Sequence, residues 1–233
     1  MSPRPRTVPD QDIIAAAMRA MTRLGPTRLT LAEVAREAGL SAATLVQRFG
    51  SKRGLMQALW ADALTGIEAC FDMLRPAHPS PLGALVAAAT EMPRHTHSAE
   101  EMANHLAFLQ IDVSDPEFYP YLLEMSQRTE AGYRALLDEA VAAGEIVKTD
   151  TALLARAVGA ISGGSLIGWA VFRKGSAEAW VRRDLETLLG PYRKEKGKRK
   201  KEKRLRPARG AGGQRPRQRR PRARASGGGA PRA

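Results

Sequence analysis

The side chains of this 233-residue sequence that could do chemistry gather in three places. The first is "GLSAATLVQRF", Gly39 to Phe49, followed at once by "GSKRGL". It offers Ser41, Thr44 and Gln47 as hydrogen-bonding groups, Arg48, Lys52 and Arg53 as cations, and Ala42 and Ala43 where a surface could approach closely. Preceded by "LTLAEVAREA", it reads as the second half of a helix-turn-helix, so its chemistry is recognition rather than turnover. The second place is His95-x-His97, with Cys70 and His105 as distant helpers. Two histidines one residue apart beside Pro93 read as a polar loop, and no spaced carboxylate or cysteine completes a zinc set. No metal and no cofactor are expected. The third is the basic run that begins near Lys194. A Gly-rich phosphate loop, a nucleophile elbow and a His-Glu zinc motif are all missing, so the chain is not expected to be an enzyme.

The net charge of +13 suggests a polyanionic partner until it is divided along the chain. From Met1 to Gly190 there are 19 Lys/Arg against 22 Asp/Glu; from Pro191 to Ala233 there are 18 against 2. The basicity is therefore almost all tail. Within the body, Met1 to Trp60 carries 9 basic and 4 acidic residues, and Ala61 to Gly190 carries 10 and 18. A positive end on a negative remainder is the pattern expected if only that end meets phosphate. The single cysteine cannot form an intrachain disulfide, "MSPRPRTVPD" has no apolar run behind its arginines, and the longest uncharged stretch, Ala157 to Phe172, is shorter than a membrane span. A cytoplasmic protein with no membrane partner is expected.

The elements that must position the first cluster are helical. Ile14, Ala17, Met18 and Met21 fall on one face of a first helix, with Asp10 and Asp12 in its opening turn and Gly25-Pro26 as its end. Thr30 stands three residues before Glu33 in a capping-box pattern, and Leu31, Val34, Ala35 and Ala38 form the second stripe. Gly39 stops that helix, Ser41 caps a short third one, and Leu45 and Phe49 point inward together. A longer helix follows from about Arg53 to Leu74, broken by Pro76, Pro79 and Pro81. Others are predicted over Leu82 to Glu91, Ser98 to Ile111, from Ser114 or Asp115 to Ala143 with Pro116 in the first turn, from Asp150, and from Ser176 to Gly190. The expectation is an all-α body of about nine helices. Beyond Pro191 too few apolar residues remain to offset ordering entropy, so a disordered tail is expected.

These residues resemble the TetR family of bacterial transcriptional regulators, whose motif runs Thr-x-x-x-Ile-Ala-x-x-Ala-Gly-Val-Ser-x-x-Thr-Leu-Tyr-x-x-Phe-x-x-Lys. Thr30, Val34, Ala35, Ala38, Gly39, Leu40, Ser41, Thr44, Leu45, Phe49 and Lys52 match it or replace its residues conservatively. The match covers roughly residues 10–60. The chain departs from the family at Val46, usually an aromatic Tyr, at Arg48, often His or Tyr, and at Ala42, near which a Lys or Arg is frequent. On this resemblance Ala42 and Ala43 touch thymine methyls, Thr44 contacts phosphate or base, and Gln47 contacts adenine. Thr30, Ser41, Arg48, Lys52 and Arg53 supply the phosphate clamps, and Arg4 and Arg6 could enter the minor groove as an arm. Thr30 and Ser41 are helix caps whatever else they bind.

The resemblance further implies an N-terminal three-helix DNA-binding domain over residues 1–52, a helical effector-binding and dimerisation domain over 53–190, and the Lys/Arg-rich tail over 191–233. It implies an effector pocket among the central helices, for which Phe71, Met102, His105, Phe108, Tyr121, Met125 and Trp169 are the candidates, taking a small hydrophobic molecule. It also implies a homodimer through the last two helices. Gly159, Gly163 and Gly168 would let a partner approach, and Trp180, Leu185 and Leu188 would complete the interface, unless the glycines only admit a neighbouring helix of the same chain. The expected function is a ligand-responsive repressor of operator DNA. Two alternatives stand beside it: a sequence-unselective nucleic-acid-binding or nucleoid-associated protein driven by the tail, and a helical enzyme using His95, His97 and His105.

Overall fold

The computed structural model describes residues 8–194, which form ten α-helices. They are α1 (Asp10–Arg28), α2 (Leu31–Ala38), α3 (Ala42–Phe49), α4 (Lys52–Ala77), α5 (Pro81–Ala89), α6 (Glu91–Arg94), α7 (Ala99–Ser114), α8 (Tyr119–Ala142), α9 (Thr151–Phe172) and α10 (Ala177–Leu189). A 3-10 turn, Gly190–Tyr192, closes the body, and an isolated antiparallel bridge joins Ile146 to Arg193. The minor-groove arm expected at Arg4 and Arg6 lies outside the described residues, as does the disordered tail expected from Pro191, except for its first four residues, which the 3-10 turn and the bridge to Ile146 hold in order.

Serine, threonine and aspartate open most of these helices, since a helix start leaves backbone N–H groups that a short side-chain oxygen can accept. Thr30, Ser41, Ser98, Asp150 and Ser176 all do so as the sequence suggests. Ser51 and Ser80 do the same for α4 and α5, each accepting from the glycine N–H three residues on. Thr30 makes half a capping box: Glu33 N donates to its hydroxyl, but the Glu33 carboxylate turns to Arg36.

Three expectations about the helices need correction. First, α1 does not end at Gly25-Pro26; it kinks there, with φ 69° at Gly25, and adds one further turn. Its buried stripe is Ile13, Ala16, Ala17, Ala20 and Met21, while Met18 is left 40% exposed. Second, the "SDPEF" segment opens no helix. Ser114 ends α7, Asp115 accepts from Glu117 N in a tight turn, and α8 starts at Tyr119 with Pro120 in its first turn. Third, a one-turn α6 follows α5. The helix expected from Asp150 is α9, which at 22 residues is long and apolar enough to cross a membrane by length and composition alone. Its Leu154, Ala155, Val158, Leu166 and Trp169 are nevertheless buried in the body, the packing of a core helix.

Two apolar clusters hold the body together. The larger joins α4, α5, α7, α8, α9 and α10 around Leu85, Leu136, Leu137, Ile146, Val158 and Leu185. The smaller sits at the N-terminal end and includes Ile13, Ala17, Val34, Leu45, Leu55 and Leu59 together with Phe108 from α7 and Phe118 from the α7–α8 turn. The three short helices therefore share their core with the rest of the protein. Removing apolar surface from water at about 25 cal/mol per Å² is what fixes the orientation of this end. At the α1 kink, Asn104 Nδ2 donates to Thr22 O at 2.9 Å, and Arg28 pairs with Glu100 at 3.0 Å, so α1 is also tied to α7 by polar contacts.

Candidate nucleic-acid interface

The turn between α2 and α3 depends on Gly39, whose φ of 68° lies in the left-handed region that costs glycine nothing. With Gly39 there, Leu40 N donates back to Ala35 O at 2.8 Å and the chain reverses in time for Ser41 to cap α3. Ser41 Oγ accepts from Thr44 N at 3.1 Å and lies 2.8 Å from Thr44 Oγ1, so one hydroxyl pair organises the whole first turn. Leu45 is fully buried and Phe49 half-buried on the inner face. Ser41, Ala42, Ala43, Val46 and Gln47 are exposed on the outer one, with Thr44 at the margin. α3 thus presents a low relief of small side chains with Gln47 as its long polar group. Gly54 then lets α3 sit against α4, because a Cβ there would lie 2.1 Å from Phe49 O.

The cations beside this face have intramolecular partners. Lys52 Nζ donates to Pro26 O at 2.6 Å and ties α4 to the α1 kink; burial pushes its pKa down. Arg48 donates to Val8 O and pairs with Asp10 at 3.0 Å, holding the segment that precedes α1. Arg53, expected on phosphate, is engaged by the turn between α7 and α8. Its Nη2 meets Asp115 Oδ1 at 2.7 Å and its Nε meets Glu117 Oε2 at 2.8 Å, with the guanidinium 4.8 Å above the Phe118 ring. These carboxylates raise the Arg53 pKa, and Arg53 in turn holds the Asp115 carboxyl below its usual range. Thr30 remains exposed at the start of α2. Spacing alone could not assign Arg53, since Asp115 and Glu117 lie more than sixty residues away.

The other candidates scatter. Phe71 and Tyr133 meet edge to face at 5.8 Å, and Phe71, Met102 and Trp169 belong to the larger core. Phe108, Tyr121 and Met125 belong to the smaller one, and His105 is exposed. The seven expected pocket residues are thus divided between two apolar clusters and an exposed histidine. Met125 lines a groove of about 480 Å³ between α8 and α9, with Thr129, Tyr133, Arg156 and Gly159. Trp169 lines a separate one of about 570 Å³ with Ser98, Glu100 and Arg173. Among the described residues no three His, Cys, Asp or Glu side chains cluster as metal donors.

At the expected dimer surface, Leu185 is wholly buried within the chain and cannot face a partner. A Cβ on Gly168 would touch the Trp180 ring at 3.5 Å, so this glycine admits a neighbour of the same chain. Trp180 itself stacks on Phe172, and Leu188 packs half-buried against the core. Gly159 and Gly163, in contrast, open onto free space. They belong to an exposed face of α9 that also carries Leu153, Ala160, Gly164, Ile167 and Val171, none of which the sequence reading names.

Residues 13–59 match the family model described as bacterial regulatory proteins, tetR family. The whole body resembles solved structures of such regulators. A TetR-family transcriptional regulator from Agrobacterium tumefaciens shares 20% identity at a TM-score of 0.64, covering 79% of this chain and 97% of that one. PfmR, a TetR-family regulator from Thermus thermophilus, shares 26% at 0.53, covering 82% and 100%. The transcriptional regulator FadR from Bacillus subtilis, solved in complex with stearoyl-CoA, shares 18% at 0.59, covering 76% and 96%. No curated protein matches the chain.

Proposed function

We propose, from the match of residues 13–59 to a tetR-family model and the likeness of the all-helical body to solved TetR-type regulators, that the chain is a homodimeric, cytoplasmic repressor which a small hydrophobic effector releases from operator DNA. The observation that carries this reading is α3: anchored by Leu45, it turns Ser41, Ala42, Ala43, Thr44 and Gln47 outward on the segment that matches the family. Gln47 reads a base edge, Thr44 a base or phosphate, and the two alanines let the helix approach thymine methyls. Thr30 and Ser41 position the head on phosphate beside the N-terminal ends of α2 and α3. A lean helix suffices because shape and backbone contacts carry part of the recognition.

One such helix makes few contacts, so two copies bind half-sites about 34–36 Å apart. The α9 face of Leu153, Gly159, Gly163, Ile167 and Val171 is the surface through which they pair, since small residues let helices approach closely and the flanking apolar ones gain from burial. The effector enters the α8–α9 groove beside Met125 and Tyr133, with Phe71 behind the tyrosine ring. The stearoyl-CoA held by the B. subtilis relative favours an effector with a long apolar part. Gel-shift titration against the DNA upstream of the protein's own gene tests the proposal. Selective binding of that DNA over random duplex at physiological salt is expected. Equal, strongly salt-dependent binding of both would favour the tail-driven alternative.

A further inference from the structure

We propose that Arg53 is a positioning residue for the DNA-reading head, holding α4 to the α7–α8 turn through Asp115 and Glu117, and is not a phosphate ligand. The inference rests on the reading of the chain as an operator-binding protein and specifies how the head angle is fixed.

Three contacts converge on this turn. Arg53 spans two carboxylates with different nitrogens, Nη2 to Asp115 and Nε to Glu117. Gln57, one helical turn later on α4, donates to the same Glu117 oxygen at 3.1 Å. Phe118 lies under the guanidinium and is itself buried in the cluster that contains Leu45. The turn is in turn shaped to receive them: Asp115 accepts from Glu117 N at 2.9 Å, which points both carboxylates at α4. A planar five-donor guanidinium suits such a two-carboxylate, ring-backed site, whereas lysine would satisfy only one contact at a time. Because α4 begins beside α3, any shift of the α7–α8 turn moves the first turn of α4 and the recognition helix with it. A phosphate bound to Arg53 would have to displace two carboxylates already in place.

The two roles predict opposite outcomes for the double variant D115N/E117Q, which removes the anions and frees Arg53. For a phosphate ligand, release should strengthen operator binding and steepen its salt dependence. For a positioning residue, release should weaken operator binding as much as R53Q does, about tenfold for groups coupled this closely, with the salt slope unchanged. The triple variant should be no worse than either. Operator affinity is to be measured at several salt concentrations for the full chain, the three variants and R53K, with unfolding midpoints confirming that each is folded. Spin labels on α3 of the two copies give a second readout, a broadened head-to-head distance in R53Q and in D115N/E117Q. Tighter binding by D115N/E117Q, or a loss of about one unit of salt slope in R53Q alone, overturns the proposal. A wild-type protein that selects no operator at all would instead defeat the functional reading, and the distance measurement on DNA-free protein would still decide the clasp.

Discussion

Leu45→Ala should loosen α3 and little else. Within the eight residues of α3 only Leu45 is fully buried, and Phe49 is the half-buried apolar residue one turn on. Truncation removes three buried carbons, about 2.4 kcal/mol of transfer free energy at about 0.8 per group. An incompletely collapsed cavity brings the cost to about 3 kcal/mol, inside the range measured for buried leucines. That is a large share of the roughly 5–15 kcal/mol that stabilises a whole domain. For a chain of this size the unfolding temperature should fall by about 6–12 °C. Val46→Ala, one residue away but 49% exposed, is the control and should stay within about 0.5 kcal/mol. Urea and thermal unfolding at one fixed protomer concentration give the stabilities, and amide exchange locates the loss in α3. If the two variants proved equally stable, the claim that α3 is seated through Leu45 would fail.

Gly54→Ala should destabilise the junction of α3 and α4 by about 1–3 kcal/mol, because the added methyl meets the Phe49 carbonyl, which is backbone and cannot swing aside; calorimetry of the purified variant checks this. Asp112, buried on α7, has its pKa pushed up to about 6 by desolvation; the Trp60 indole N–H partly offsets this without forming a hydrogen bond, and Asp115 adds to it. Between about pH 4 and 6 the folded chain therefore holds a proton that the unfolded chain releases, and stability falls as pH rises through that window. Asp112→Asn should remove this slope and raise stability at about pH 7.5, measured as unfolding midpoint against pH. Ile167→Asp places a charge in the exposed α9 face, so sedimentation should show a dimer converted to monomer with unchanged helical content.

The helical class and most helix starts were legible because they follow from local chemistry: Thr30, Ser41, Ser98, Asp150 and Ser176 act on backbone N–H groups a few residues away. Leu45 and Gly39 were legible for the same reason. What the sequence hides is long-range. Pro116 looks like a first-turn proline, but Asp115 and Glu117 are drawn into a turn facing Arg53, a partner no local rule could assign. Leu185 and Gly168 carry the pattern of an interface, yet the chain's own core takes the one and its own Trp180 the other. The exposed positions Leu153, Ile167 and Val171 are not legible in so apolar a helix, because the packing of α8 and α10 against α9 decides which face is left uncovered. The expected pocket residues are Met, His and aromatic types, and type alone does not separate core from cavity lining.

The central claim is that the outward face of α3 reads a base sequence. Replacing Thr44 and Gln47 together by alanine, with unfolding curves showing an intact fold, and measuring affinity for operator and for random duplex at the same salt tests it most directly. The account predicts that the ratio of the two affinities falls at least about tenfold while random binding hardly changes, since a lost base contact is worth about 1–3 kcal/mol. An unchanged ratio in a folded double variant would contradict it.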